Sequence, residues 1–163
     1  MKPKKVAFLS MCISLSMILS FVESQIPPLM AVPGVKMGLP NIVMVFMLYK
    51  IGAKETAIVS IIRVILVSLL FSIPTLPYSL TGAILSLVGM ILLKNFTKCS
   101  TIVVSVAGGI LHNIGQIAVA CIVTSTPQIA YYLPVLLITG TVAGILIGLT
   151  AAMVLKRLEK MKL

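Results

Sequence analysis

The sequence predicts an all-α membrane protein: a bundle of six transmembrane helices with the N and C termini in the cytoplasm. Three observations predict it. First, 60% of the 163 residues are hydrophobic, 10% are charged and the mean hydropathy is +1.20. Soluble domains run at about 45–50% apolar and about 25% charged. A chain this short has no soluble core large enough to hide so much apolar surface, so lipid is its solvent. Second, the apolar residues fall into successive runs of helical length without the period-two alternation of a barrel strand. Third, eleven of the thirteen basic residues lie in alternate gaps between those runs: Lys2, Lys4 and Lys5, then Lys50 and Lys54, then Lys94 and Lys98, then Lys156, Arg157, Lys160 and Lys162. Lys and Arg retained in the cytoplasm orient membrane helices, so this pattern describes a multi-pass protein of the plasma membrane.

The first helix is expected at about 6–22, running outward. Its Lys-rich start followed by an apolar run also fits a secretory signal. No small-x-small cleavage pattern follows Val22, where the chain reads Glu23-Ser24-Gln25-Ile26-Pro27-Pro28, so an uncleaved helix is expected. The connection to Lys36 holds Pro27, Pro28, Pro33 and Gly34, which break regular structure. It is nevertheless apolar (Ile26, Leu29, Met30, Val32, Val35) and is expected to fold back on the bundle as a lid. The second helix, about 37–49, would rise roughly 20 Å against a hydrocarbon thickness of roughly 30 Å. It therefore leaves space in the outer half of the membrane. Four further helices are expected at about 55–71, 78–93, 100–124 and 129–156, the last two long enough to tilt. No repeat or second domain is evident, so residues 1–163 read as one integral membrane domain.

A net charge of +10 in a soluble protein would point to nucleic acid. Here the charges flank apolar runs with no interleaved aromatics, and anionic lipid headgroups account for them. Cys12, Cys99 and Cys121 lack metal-ligand spacing and read as small apolar residues.

Polar side chains inside apolar helices are costly and face a protein interior or a wet cavity. Asn41 lies in the second helix, Arg63 near the middle of the third, and His112, Asn113 and Gln116 share one broad face of the fifth. Glu23 and Lys36 bound the outer loop. All seven fall between mid-membrane and the outer surface, which predicts one outward-facing pocket for a small polar or anionic solute. A purely structural reading stays open for each: an ion pair of Arg63 with Glu23, interhelical hydrogen bonds for His112, Asn113 and Gln116, and headgroup contact for Lys36. Gly140, Gly144 and Gly148 recur every four residues in the sixth helix and form a packing ridge. In the first helix, Ser10 with Ser14 and Ser16 with Ser20 repeat the small-xxx-small spacing and are candidates for docking a membrane partner.

The chemistry of catalysis is missing. The chain has no Asp, and Glu23, Glu55 and Glu159 are scattered. No carboxylate cluster would hold magnesium against a diphosphate. There is no Walker-type phosphate loop and no nucleophile elbow, and the single His cannot build a multi-His metal centre. A non-enzymatic protein without cofactor is expected.

Two stretches carry a family resemblance: Pro33-Gly34-Val35-Lys36-Met37-Gly38-Leu39-Pro40-Asn41-Ile42 leading into the second helix, and His112-Asn113-Ile114-Gly115-Gln116 in the fifth. With Arg63-Val64 they resemble the Gx transporter family, whose members are widely labelled heptaprenyl diphosphate synthase component I. Pro40 stands where that family usually has a small residue. The family in turn resembles the substrate-binding S components of energy-coupling factor (ECF) transporters. That resemblance implies a six-helix bundle with an outward site capped by the first loop, a transmembrane T-component partner and two cytoplasmic ABC ATPases. It also implies docking through small residues on the first helix, where this chain has serines. The alternative is a membrane accessory subunit of a heptaprenyl diphosphate synthase that binds an isoprenoid diphosphate.

Overall fold

The computed structural model describes residues 3–25, 38–71, 73–97 and 99–160. Among these are α1 (Pro3–Gln25), α2 (Asn41–Lys50), α3 (Ala53–Phe71), α4 (Leu76–Phe96), α5 (Thr101–Val123) and α6 (Leu133–Lys160), with short 3-10 turns at Ile73–Thr75 and Pro127–Tyr132. The segment expected as a lid lies almost wholly outside the described residues.

The helix ends follow local chemistry. α2 begins at Asn41 rather than Met37, because Gly38 takes a left-handed φ of +74° and Pro40 follows it. α6 begins at Leu133 rather than Ile129. Pro134 has no N–H to donate back one turn, so the chain before it stays in the 3-10 turn. Ser100 caps α5 by accepting a hydrogen bond from the Val103 amide at 3.4 Å.

The chain is a helical membrane protein. Four stretches, Pro3–Gln25, Ile73–Phe96, Thr101–Val123 and Pro127–Leu158, are long and apolar enough to cross a membrane. α3 has comparable length but carries Lys54, Glu55 and Arg63. The faces of these helices are inverted relative to a soluble bundle. Large apolar side chains point outward, with Leu70 66% and Ile138 67% exposed. Many inward positions are small, including Ser16, Ser20, Thr56, Ser60, Ser68, Ser86 and Ser105, all buried. Helices in lipid gain nothing by hiding Leu from Leu-like tails; they associate by close backbone approach, which small residues permit. Ser20 Oγ donates to the Ser16 carbonyl at 2.9 Å and Thr56 Oγ1 to the Gly52 carbonyl at 2.7 Å, one turn back in each case.

α5 packs antiparallel between α4 and α6. Along α6, Gly140, Gly144 and Gly148 lie against Gly109, Val106 and Ile102 in turn. A Cβ at Gly144 would stand 2.6 Å from the Val106 Cα, and one at Gly148 2.7 Å from the Ile102 Cα. The glycine ridge is thus spent within this bundle. On the other side of α5, Gly82 meets Gly115 and Met90 meets Gly108. α1 and α3 run side by side in the same direction, tied by a Lys5–Glu55 ion pair at one end and by stacked Phe21 and Phe71 rings, 6.0 Å apart, at the other.

α2 is the centre. Val43, Met44 and Met47 pack with Leu9, Cys12 and Val59 of α1 and α3, whereas Val45 and Leu48 pack with Leu87, Met90, Val104, Ile147 and Ala151 of α4, α5 and α6. A helix that is apolar all round belongs in an interior. With ten residues it is only about 15 Å long, so the bundle axis above its N-terminus is left to other groups.

Candidate functional site

A cavity of about 190 Å³ occupies that axial space. Its floor is the entry to α2, from Gly38 and Pro40 to Asn41. α1 contributes Ser20, Glu23 and Ser24; α3 contributes Arg63, Ser68 and Phe71; Thr75 comes from the 3-10 turn after α3 and Ser79 from the first turn of α4. The opposite wall is His112, Asn113 and Gln116 of α5, with Gly140, Gly144 and Ile147 of α6. Six of the seven expected site residues, Glu23, Asn41, Arg63, His112, Asn113 and Gln116, therefore line one space, although they come from four helices. Lys36 lies outside the described residues. The cavity is at the end of the bundle remote from Lys4, Lys5, Lys50, Lys54, Lys94 and Lys156.

Each side chain has a physical setting. The Glu23 carboxylate accepts a hydrogen bond from the Gly38 amide, which ties the end of α1 to the entry of α2. It also acts electrostatically on Arg63. The Nε of Arg63 is buried and meets no hydrogen-bond partner among the described residues. Asn113 donates from Nδ2 to the Leu136 carbonyl of α6 at 2.6 Å. The missing side chain at Gly140 makes room for that amide, since a Cβ there would lie 2.5 Å from it. Gly82 does the same for α5, where a Cβ would meet the His112 carbonyl at 2.9 Å and the Gln116 Cγ at 3.0 Å. Asn113 is thus both a wall of the cavity and an interhelical tie.

Serines on α1 divide in a way the spacing did not reveal. Ser16 is fully buried and Ser20 is 9% exposed. Both face this chain's own bundle, and Ser20 reaches the cavity, so the pair offers no docking face. Ser10 and Ser14 are exposed. The hydroxyls of Ser24, Ser68, Thr75 and Ser79 were missed as cavity residues. The sequence signal for Ser68 was indirect: Val64, Val67, Ser68 and Phe71 fall at i, i+3, i+4 and i+7 on one face, and Arg63 lies at its edge.

Residues 12–154 match the family described as heptaprenyl diphosphate synthase component I. The chain belongs to that family. Neither a curated protein nor a solved structure matches it. In the component I chain described here, the lining amides, hydroxyls and guanidinium can bind a polar molecule by hydrogen bonds. Among the described residues, no group of three His, Cys, Asp or Glu side chains could hold a metal ion.

Proposed function

We propose that this component I protein is the substrate-binding membrane subunit of an ECF-type, ABC-energised uptake transporter for a small polar or anionic solute. One observation carries the reading: polar side chains distant in sequence converge on a single cavity at the end of the bundle opposite the basic residues. By the retention of positive charge in the cytoplasm, that end faces outward. The helices then cross the plasma membrane six times, with both termini inside. Energy would come from a T component and cytoplasmic ATPases, because the sequence carries no nucleotide-binding loop of its own. Arg63→Ala and Gln116→Ala are expected to abolish solute binding in protein that still inserts and folds. Native affinity in both folded variants would overturn the assignment.

The family's description favours a second reading, a membrane accessory of a heptaprenyl diphosphate synthase. Cavity size weighs against a prenyl chain inside the bundle: a cavity of about 150 Å³ accepts a benzene ring, and this one is about 190 Å³. An isoprenoid tail would then have to lie on the outer, lipid-facing surface. Assay of the synthase with and without this subunit separates the two, since only the accessory reading expects a change in product yield or chain length.

A further inference from the structure

We propose that the cavity selects a compact ligand of zero net charge with a strong dipole, its acceptor end on Arg63. The inference rests on the solute-binding reading and narrows it. Three observations lead to it. The charged side chains among the described lining residues are Glu23 and Arg63, of opposite sign and electrostatically engaged with each other. In a poorly solvated site, a paired charge leaves little attraction for a further ion, and an added anion would set two negative groups against one guanidinium. Yet the Arg63 Nε is buried without a partner among the described residues, and a buried N–H calls for an acceptor. A carbonyl, a ring nitrogen or the carboxylate of a zwitterion supplies one without adding net charge. Among the other polar lining groups, Asn41, Gln116, Ser68 and Ser79 each offer both a donor and an acceptor, which suits a dipolar molecule better than an ion. By volume, such a ligand has the bulk of a single ring or a small amino acid, roughly six to twelve heavy atoms.

The test uses the full chain in lipid nanodiscs and follows its thermal unfolding with three sets of probes. The first is electrically neutral amino acids and nucleobases, the second is benzoate, nicotinate and pyruvate, and the third is geranyl diphosphate. A member of the first set is expected to raise the midpoint by about 5 °C or more near saturation, with no monoanion matching it. The rise should be the same at roughly 50 and 500 mM salt, because screening acts on net charge. Glu23→Gln leaves the guanidinium uncompensated and should move preference toward the monoanions by about tenfold. If that variant does not fold, the salt series on the native protein decides. A largest rise with a monoanion, or one that collapses with salt, overturns the zero-charge assignment and leaves the solute-binding reading standing. A rise with geranyl diphosphate alone overturns both. No rise with any probe overturns the inference.

Discussion

Gly144→Ala tests whether close backbone approach holds this bundle together. The added Cβ would lie 2.6 Å from the Val106 Cα, 3.1 Å from its amide nitrogen and 3.2 Å from the Ser105 carbonyl oxygen. Carbon atoms sit comfortably at about 3.5–4.0 Å, so α5 and α6 must part by roughly 1 Å at this level. The obstacle is main chain in a helix and cannot rotate away. Overpacking of this kind costs about 1–3 kcal/mol. Alanine's better helix propensity returns up to about 1 kcal/mol; because two main-chain atoms and a carbonyl oxygen are met at once, the upper part of the range applies and the net loss is about 2 kcal/mol. Gly89→Ala is the control. Its Cβ would come within 2.0 Å of Leu111 Cδ1, a nominally worse clash, yet the only other neighbour within reach is Leu111 Cγ at 3.5 Å. That obstacle is the free end of a flexible side chain, and a rotamer change removes it at a cost of about 1 kcal/mol or less, which the propensity gain offsets. Unfolding by SDS titration in mixed micelles, followed by far-UV circular dichroism, measures both variants. A native-like Gly144→Ala, or a Gly89→Ala that is the weaker of the two, would refute the reasoning.

Three other outcomes are expected. Asn113→Ala removes the 2.6 Å bond to the Leu136 carbonyl and should lower stability by about 0.6–2 kcal/mol in the same titration. Gly38→Ala forces a side chain onto a backbone with φ of +74°, its Cβ 3.2 Å from Ile147 Cδ1, and should cost about 1–2 kcal/mol. Cys99 lies between α4 and α5, at the end that carries Lys94, and is partly exposed. With Cys12 and Cys121 replaced by Ala, it should react with a membrane-impermeant maleimide in inside-out vesicles and not in intact spheroplasts. The opposite labelling pattern would reverse the proposed orientation.

What could be read before folding follows from the solvent. Lipid makes long apolar helices obligatory, so the helical membrane character of the chain was visible as apolar runs. The same solvent makes an intramembrane Arg63 or Gln116 conspicuous, so the cavity-lining amides, imidazole and guanidinium stood out from a background of Leu, Ile and Val. Serine does not stand out in this way. Its hydroxyl bonds to the preceding turn, as Ser16 does to the Ile13 carbonyl at 2.8 Å, and so tolerates either face of a helix. Spacing alone placed Ser16 and Ser20 on a partner's side, whereas packing against α2 and α3 put them inside. The start of α2 was misjudged for a related reason: Met37 to Asn41 looks apolar enough for helix, and the left-handed Gly38 is set by its tie to Glu23.

The central position of the shortest helix connects sequence to site. α2 is buried on every side, with Met47 and Leu48 fully inaccessible, so it cannot shift sideways to fill the axis above it. Had it run the full membrane thickness, the inward faces of α1, α3, α5 and α6 would have met its side chains, and Arg63 and Gln116 would have been excluded from the core by their desolvation cost. Because it stops at Asn41, those faces meet one another across a gap. The polar groups are then retained where they can hydrogen-bond to each other or to a guest. Lengthening α2 by helix-forming residues in place of Gly38 and Pro40 should therefore fill the cavity and abolish ligand binding while preserving the bundle. Retained binding in such a folded variant would mean that the site lies elsewhere.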